Sequence, residues 1–267
     1  MYKHLVFSDL DGTLLTHQDY DFSPAQESIN YLQTQAIPII LSTSKTFDEV
    51  VKIQQTMKLK SPFIVENGGG IFIPKECILA SAIQQHDDWI KISNTSNYIE
   101  LRLFFKKMQR HYPIRGFGDM NHEEVMALTH LDRQSVQDAM QRDFTEPFII
   151  EDRSLIPRLT KDAHEEGFDI IEGGRFFHLV SKDQDKAEAM LKLAHLYNEY
   201  HDKAIQTIAL GDSQNDFNML NKADIGVLIP KHDGSFAPIQ STKKILHAKH
   251  PGPKGWNTAI KEIFDVR

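Results

Sequence analysis

The chain has 267 residues, of which 40% are hydrophobic and 25% are charged, and its formal net charge is −7. This composition excludes a disordered or collagen-like chain, and the negative charge disfavours binding to nucleic acid or to an anionic membrane. A single cysteine, Cys77, excludes an internal disulfide framework and a multi-cysteine zinc site. With no secretory leader and no run of about 18 apolar residues, we expect a cytoplasmic protein.

Strand-like and helix-like segments alternate through the first 83 residues. Ser23, Pro24 and Gln26 predict a helix start, because they match a capping residue, a first-turn proline and a capping-box glutamine. Thr46 and Glu49 predict a second capping box at the next helix. Apolar, β-rich runs predict three short strands, at residues 5–7, 37–41 and 63–65. This alternation predicts a parallel sheet with helices on both faces.

The pattern changes after about residue 83, where helix-like segments crowd together. Helices are predicted at residues 98–110, 121–131, 132–142 and 155–164. Strands are predicted at residues 148–150, 168–172 and 175–180. Gly173 and Gly174 predict a two-residue hairpin between the last two strands. A hairpin among helices indicates a small α+β module inserted at residues 84–180.

The earlier alternation returns after residue 180. The predicted elements are a helix at 186–197, a strand at 207–210, a helix at 216–221, a strand at 225–228 and a closing helix around 256–264. We therefore expect an α/β core with a parallel sheet, built from residues 1–83 and 181–267, and an inserted α+β domain at residues 84–180.

Two aspartates follow the first predicted strand, at the end where open α/β sheets place their ligands. Side chains alternate in an extended chain, so Asp9 and Asp11 project into one cleft. Such a pair favours separate roles, because an ionised carboxylate can act as a nucleophile and a protonated one as a general acid. Gly12 allows a sharp turn and Thr13 can fix it. Alone, the pair is equally compatible with an acidic turn of solvated carboxylates.

A second acidic loop follows the strand predicted at residues 207–210. Asp212 and Asp216 bracket a turn that Gly211 opens and that leads into a helix. Carboxylates from two remote strand ends suit a hard divalent cation, and Mg²⁺ fits best because it binds few protein carboxylates together with water and a substrate phosphate. Both loops together predict a magnesium site, whereas the second loop alone is also compatible with an Asx-rich helix cap.

Groups suited to binding phosphate occur at two further places. Thr43, Ser44 and Lys45 follow the second strand and lead into the capped helix, where backbone N–H groups favour an anion. Lys186 begins a helix ahead of the second acidic loop and supplies another cation. Each signal is weak alone, since Ser/Thr caps and surface lysines are common.

In order and spacing these motifs resemble those of the haloacid dehalogenase (HAD) phosphotransferase superfamily. The resemblance rests on residues 9–13, Thr43, Lys186 and residues 211–216. It covers nearly all residues outside 84–180, and the insertion resembles the C2-type cap of that superfamily. The resemblance therefore implies a Rossmann-like HAD core with a parallel sheet and an inserted α+β C2-type cap.

The resemblance also implies a role for each motif residue. Asp9 would attack phosphorus and become an aspartyl phosphate, and Asp11 would protonate the leaving oxygen and then activate water. Thr43 and Lys186 would bind the phosphoryl oxygens. The ligands implied for Mg²⁺ are Asp9, Asp11 through its backbone carbonyl, Asp212 and, directly or through water, Asp216.

Four further segments resemble the mannosyl-3-phosphoglycerate phosphatase branch of the superfamily, at residues 44–46, 66–68, 115–120 and 173–178. Ser44 and Lys45 stand where most related sugar phosphatases carry Gly-Arg, and this difference favours that branch. The substrate contacts implied are Ser44, Lys45, Glu66, Asn67, Gly68, Arg115, Arg175 and His178. The cap arginines are the expected partners of a glycerate carboxylate, which favours a bidentate guanidinium.

We therefore expect a Mg²⁺-dependent phosphatase acting on a small phosphorylated metabolite, with mannosyl-3-phosphoglycerate as the first candidate. The alternatives are a broad-specificity sugar phosphatase or phosphomutase on the same scaffold, and a catalytically silent metabolite sensor. The acidic quartet argues against the sensor, because repelling carboxylates destabilise a site that has no use for a metal.

Overall fold

The computed structural model describes residues 3–75, 77, 89–93, 95–173, 175–241 and 243–266. The first elements are β1 (His4–Ser8), α1 (Gln26–Thr34), β2 (Ile39–Leu41), α2 (Phe47–Met57), β3 (Phe63–Val65), β4 (Gly70–Pro74) and β5 (Trp89–Ile92). They are followed by α3 (Tyr98–Met108), β6 (Ile114–Gly116), α4 (His122–Thr129), α5 (Arg133–Met140), β7 (Glu146–Ile150), α6 (Ile156–Glu165), β8 (Phe168–Glu172) and β9 (Phe177–Ser181). The last are α7 (Lys186–His201), β10 (Gln206–Gly211), α8 (Phe217–Lys222), β11 (Ile225–Leu228), β12 (Leu246–His247) and α9 (Gly252–Ile263).

The central sheet is parallel, and its described strands lie in the order β12-β11-β10-β1-β2. β1 runs between β10 and β2, with Phe7 opposite both Ala209 and Ile40. Parallel neighbours end at the same edge of a sheet, so the loops after β1 and β10 lie side by side although they are remote in sequence. The predicted α/β core with a parallel sheet is confirmed.

A second, antiparallel sheet continues from the edge of the first. β4 pairs with β3 on one side and with β5 on the other, while a single parallel bridge between Ser42 and Ile64 joins β3 to the end of β2. The sequence pattern predicts β3 but neither β4 nor β5. Because the turn at Glu66–Gly68 returns the chain directly onto β3, β4 is antiparallel to it. β5 therefore pairs with a strand of the core, although its residues lie within the insertion predicted at residues 84–180.

Helices cover both faces of the central sheet and bury its apolar side chains. Val6 of β1 packs on one face in a cluster that includes Trp256 of α9. Phe7 packs on the opposite face in a cluster that includes Leu193 of α7, as expected when neighbouring side chains of a strand alternate. In the described ranges, no helix combines the length and apolar character needed to cross a membrane.

The inserted segment forms its own antiparallel sheet, in the order β6-β7-β9-β8. Phe105 of α3 and Leu159 of α6 belong to the apolar cluster that covers this sheet together with Phe148 of β7. Val125 of α4 and Val136 of α5 belong to a smaller cluster beside it. This segment is the α+β module predicted from the sequence.

The predicted two-residue hairpin in this sheet is wrong. β8 and β9 pair as far as Glu172 opposite Phe177, so residues 173–176 form the connection. The backbone N–H of Gly173 donates to the carbonyl of Phe176 at 2.9 Å, which closes this longer loop. Gly174, the other residue of the predicted turn, lies outside the described residues.

One of the two predicted helix caps is present. Thr46 and Glu49 form the predicted capping box at the start of α2. Ser23 does not cap α1, because it lies in a 3₁₀ turn, Ser23–Ala25, that leads into the helix. Ala25 stands at the N-cap of α1 and has no side-chain group to cap it, while the Ser23 hydroxyl donates to Asp21 at 2.7 Å.

Candidate active site

Three aspartates from two loops meet at the carboxyl edge of the central sheet. Asp9 directly follows β1, and Asp212 and Asp216 lie in the loop after β10. One carboxylate oxygen of each lies within 4.8 Å of the others, and all three residues are buried. The parallel pairing of β1 with β10 therefore brings these carboxylates together from remote parts of the sequence.

Lys186, the first residue of α7, lies inside this acidic cluster. Its Nζ is 2.7 Å from Oδ1 of Asp9 and 2.7 Å from Oδ1 of Asp216. Burial by itself would lower the pKa of Lys186, but the carboxylates of Asp216 and Asp9 outweigh burial and hold that pKa above its ordinary value. The ammonium group stays charged and offsets part of the repulsion among the carboxylates.

Burial and, after it, the remaining repulsion raise the pKa values of two aspartates. Burial, followed by the charge of Asp216, raises the pKa of Asp9 to about 7. Burial and the charge of Asp9 raise the pKa of Asp212 to about 8. Since one ammonium group does not balance three buried carboxylates, the site favours a further proton or cation.

The donor set fits a hard divalent cation such as Mg²⁺. Its donors are carboxylate oxygens, and those of Asp9 and Asp212 lie close enough to share one ion. Oδ1 of Asp11 is another buried oxygen, with no hydrogen-bond partner among the described residues. The loops after β1 and β10 could therefore hold such an ion between them.

Asp216 has a different environment from the other acidic residues. Its Oδ1 accepts a hydrogen bond from Lys186, and its Oδ2 accepts from the backbone N–H groups of Asp212 and Ser213, at 3.1 Å each. Both oxygens are therefore engaged in fixing the loop. This arrangement favours contact with a cation through water over direct ligation.

Asp11 pairs with Lys45 at the mouth of the site. Nζ of Lys45 lies 2.9 Å from Oδ2 of Asp11 and 4.6 Å from the centre of the Tyr20 ring. Burial lowers the pKa of Lys45, but the charges of Asp11 and Glu49 outweigh burial and raise it overall. Lys45 therefore supplies a permanent positive charge beside Asp11.

The turn after Asp9 requires a glycine at position 12. Gly12 has a φ of +81°, and a Cβ there would lie 2.7 Å from Oδ2 of Asp212 and 2.4 Å from Nε2 of His17. The hydroxyl of Thr13 lies 3.5 Å from Oδ1 of Asp212. The predicted turn is thus built around close contact with the second acidic loop.

The loop after β2 approaches the same edge of the sheet. Thr43 is buried, and its Oγ1 accepts a hydrogen bond from the backbone N–H of Lys45 at 3.2 Å. Ser44 and Lys45 line the cleft in front of it. The loop therefore brings hydroxyl groups, backbone N–H groups and an ammonium group close to the aspartates.

A cleft of about 1420 Å³ lies between this edge of the core and the inserted segment. Arg175 and His178 line it from the insertion, as the sequence predicts for substrate contacts. Nη1 of Arg175 donates to the carbonyl of Thr129 at 2.7 Å. The apolar residues on this side of the cleft are Phe117, Leu131, Ala139, Pro147 and Phe176.

Arg115 does not line this cleft in the described structure, contrary to the sequence-based expectation. Its guanidinium pairs with the carboxylate of Glu124 on the exposed side of the insertion. The next residue must be a glycine, because a Cβ at Gly116 would lie 2.0 Å from Oε1 of Glu146. Arg115 and Gly116 therefore serve the packing of the insertion, whereas Phe117 of the same segment lines the cleft.

Glu66 also departs from its expected role. Its buried carboxylate accepts hydrogen bonds from the backbone N–H groups of Asp143 and Phe144, at 2.9 and 3.1 Å, and from the Thr145 hydroxyl at 2.8 Å. These bonds engage both carboxylate oxygens away from the cleft lining. Glu66 therefore ties the insertion to the core.

Asn67 and Gly68 support the acidic loops from behind. Oδ1 of Asn67 accepts from Nδ2 of Asn215 at 3.0 Å. Gly68 has a φ of +93°, and a Cβ there would lie 2.2 Å from the carbonyl oxygen of Asp185, just before α7. Neither residue lines the cleft, and the contacts of both hold the neighbouring loops in place.

Several cleft residues carry no sequence signal of their own. Tyr20, Arg142 and the Lys231–His232 pair after β11 line the cleft, but none belongs to a recognisable motif. Their placement depends on long-range packing between loops of the core and the insertion. Of these residues, only Tyr20 could have been proposed from the sequence as a cleft residue, because it follows the acidic turn closely in the chain.

The sequence matches known proteins over nearly its full length. Residues 6–231 match a family model described as haloacid dehalogenase-like hydrolase. A glucosyl-3-phosphoglycerate/mannosyl-3-phosphoglycerate phosphatase from Persephonella marina is 41% identical over 262 residues, covering 98% of this chain and 97% of that protein. A protein of the same name from Methanococcoides burtonii is 35% identical over 267 residues, with 98% and 97% covered.

The fold also matches solved structures. A crystal structure of a protein from Thermoplasma acidophilum has a TM-score of 0.72 to this chain and covers 100% of both chains, at 19% identity. At that level of identity the likeness shows a shared architecture. The parallel core with an inserted α+β cap is therefore a haloacid dehalogenase-type fold.

The buried imidazole of His178 predicts a loss of stability in acid. Burial, followed by the charges of Arg142 and Lys186, lowers the pKa of His178 to about 3. Because the folded-state pKa lies below the unfolded value of about 6.5, stability falls as the pH drops below that value. Between pH 7 and pH 5 this group alone should lower the free energy of unfolding by about 2 kcal/mol.

Urea unfolding of wild type and His178→Gln at both pH values measures this contribution. We expect the variant to lose about 2 kcal/mol less than wild type between pH 7 and pH 5. His111→Gln, at an exposed position, is the matched control and should follow wild type. Parallel losses in wild type and His178→Gln would contradict a neutral, buried imidazole.

Proposed function

This chain belongs to the haloacid dehalogenase-like hydrolases, and we propose that it is a Mg²⁺-dependent phosphatase for a glycosyl-3-phosphoglycerate. Two relatives whose names specify glucosyl- and mannosyl-3-phosphoglycerate support this substrate class, and each matches 98% of the chain. Mannosyl-3-phosphoglycerate is the first candidate, with mannosylglycerate and phosphate as products. A small phosphorylated metabolite and a chain with one cysteine both fit the cytoplasm.

One observation carries the proposal: Asp9 presents a carboxylate oxygen to the cleft beside a buried cation. Oδ1 of Asp9 accepts from Lys186, whereas Oδ2 accepts no hydrogen bond from any described residue. Lys186 thus fixes the carboxylate while one oxygen remains available for attack on phosphorus. The attack forms an aspartyl phosphate and releases the glycerate oxygen.

Asp11 is our candidate for both proton transfers. It lies at the mouth of the same turn, and its Oδ1 is buried with no partner in the described chain. In the first step it gives a proton to the departing glycerate oxygen. In the second it takes a proton from the water that attacks phosphorus, which releases phosphate and restores Asp9.

The remaining core residues stabilise charge on the phosphoryl group. Lys186 and Thr43, with the backbone N–H groups that follow Thr43, would bind its oxygens. Mg²⁺ would be held by Asp9, the backbone carbonyl of Asp11 and Asp212, while Asp216 orients the loop. When bound, the ion neutralises phosphoryl charge as the bond to the leaving oxygen breaks.

We propose that residues 84–180 act as a cap that selects the leaving group over the core formed by residues 1–83 and 181–267. Ser44 and Lys45 meet the substrate from the core side, and Arg175 and His178 meet it from the cap. Because the low pKa of His178 keeps its imidazole neutral, we expect it to exchange hydrogen bonds with sugar hydroxyls rather than to pair with an anion.

Phosphate release from a panel of phosphorylated metabolites tests the function directly. We expect release from mannosyl- and glucosyl-3-phosphoglycerate, loss of release with a chelator and recovery with added Mg²⁺. Asp9→Asn should stay folded and lose turnover, because an amide cannot form the acyl phosphate. An isomerised sugar phosphate as product would indicate a phosphomutase. Equal rates on unrelated sugar phosphates would indicate a broad-specificity enzyme. Full activity after chelation would contradict the metal site.

Asp11→Asn tests the assignment of the leaving-group acid. We expect the rate of enzyme phosphorylation by a glycosyl-3-phosphoglycerate to fall by about 10²–10⁴-fold, the usual contribution of general acid catalysis. With p-nitrophenyl phosphate the same single-turnover step should change much less, because nitrophenolate leaves without a proton. Equal losses on both substrates would contradict the assignment of Asp11 as the acid.

A further inference from the structure

Arg142, between α5 and β7, is a cleft cation that none of the roles above uses. Its Nε donates to the carbonyl of Ala139 at 2.8 Å, and its Nη1 donates to the carbonyl of Ser44 at 2.8 Å and to the Thr145 hydroxyl at 3.3 Å. All three acceptors are uncharged. Its Nη2 donates to no described residue, so one edge of the guanidinium remains open.

The charge of Arg142 also lacks a direct counter-ion. In the described part of the chain no carboxylate forms an ion pair with it, whereas the cap arginines Arg102, Arg115 and Arg153 all pair with acidic residues. Burial raises the pKa of Glu66 and the charge of Arg142 opposes that shift, so the two groups interact without forming an ion pair. The Thr145 hydroxyl lies between them, donating to Glu66 and accepting from Arg142. A partly buried guanidinium that faces a cleft with one open edge and no carboxylate in direct contact favours an anionic ligand.

The position of Arg142 is fixed relative to the core. Residues 143–145 donate three hydrogen bonds to the Glu66 carboxylate, and Phe144 packs within the main apolar cluster of the core. Arg142 therefore belongs to the insertion in sequence but is anchored to the core. Its contact with Ser44 places the guanidinium beside the loop proposed to bind the phosphoryl group.

The chemistry of the substrate selects between the two cleft arginines. In a 3-phosphoglycerate the carboxylate is only a few bonds from the phosphoester oxygen, so its partner must lie close to the phosphoryl-binding loop. Arg142 contacts that loop through Ser44, whereas Arg175 is tied to Thr129 at the end of α4. We infer that Arg142 binds the glycerate carboxylate, a role expected from the sequence for Arg175, which then faces the glycosyl group.

This inference rests on the proposed substrate class, and two matched substrates test it. One is a glycosyl-3-phosphoglycerate, and the other is the corresponding glycosylglycerol 3-phosphate, in which a hydroxymethyl group replaces the carboxylate. For Arg142→Lys and Arg142→Met we expect kcat/KM on the carboxylated substrate to fall roughly 10- to 100-fold, as for a lost hydrogen bond to a charged group. On the uncharged analogue it should change less than about threefold.

Two further variants separate recognition of the carboxylate from the positioning of the cap on the core. Lys52→Met removes another cation that joins core to cap, through Asp138, but Lys52 does not line the cleft. It should leave the ratio of kcat/KM between the two substrates unchanged. Arg175→Lys should lower kcat/KM on both glycosylated substrates together, because both carry the same sugar.

Four results would overturn the inference. Equal losses of kcat/KM on both substrates in both Arg142 variants would show that Arg142 has a structural role. A changed ratio of kcat/KM between the substrates in Lys52→Met would show that the attachment of the cap, rather than contact with the carboxylate, sets that ratio. If Arg175→Lys changes this ratio and the Arg142 variants leave it unchanged, Arg175 is the residue that binds the carboxylate. If wild type releases no phosphate from the glycosyl-3-phosphoglycerate, both the proposed function and the role of Arg142 fail. The three results with variants contradict only the role of Arg142.

Discussion

The structure depends on the balance between three buried carboxylates and one buried ammonium group. Asp9, Asp212 and Asp216 would repel one another strongly without Lys186, and burial makes both the repulsion and its relief larger than in water. The cluster retains an excess of negative charge, seen in the raised pKa values of Asp9 and Asp212. A site that keeps this excess favours a cation and a phosphorylated ligand arriving together.

The fold supplies the positions that this balance requires. Parallel pairing of β1 with β10 places the acidic loops side by side, and the turn at Gly68 packs against the start of α7, where Lys186 lies. Besides its two chain connections, the insertion is held by contacts with the core, among which Glu66 and the apolar core hold residues 143–145. The cleft is therefore largely formed before a ligand enters, which lowers the entropic cost of binding.

Part of this architecture was predictable because it rests on local patterns. The periodicity of apolar residues indicates the parallel core, and the aspartates at strand ends indicate the acidic site. The capping box of Thr46 and Glu49 was also predictable, since all its contacts are within one turn of helix. The start of α1 was not, because a 3₁₀ turn, Ser23–Ala25, precedes the helix and leaves Ala25 at its N-cap.

Other features depend on contacts between remote segments, which a single sequence does not indicate. The Asn67 and Glu66 side chains follow a strand end and suggest ligand contacts, but Glu66 bonds to residues 143–145 in the insertion. The pairing of Lys45 with Asp11 likewise depends on how two loops of the core meet. Arg142 has no motif, and only the anchoring of the insertion brings it beside Ser44.

Rapid acid quenching tests the central claim that Asp9 is the nucleophile. The enzyme is mixed with Mg²⁺ and a glycosyl-3-phosphoglycerate, stopped within one turnover and digested for mass spectrometry of the peptide that contains Asp9. We expect a phosphoryl group on Asp9 that appears before free phosphate and disappears as phosphate is released. Phosphate released at the normal rate with no phosphoryl group ever detected on Asp9, or one found on another residue, would contradict the claim.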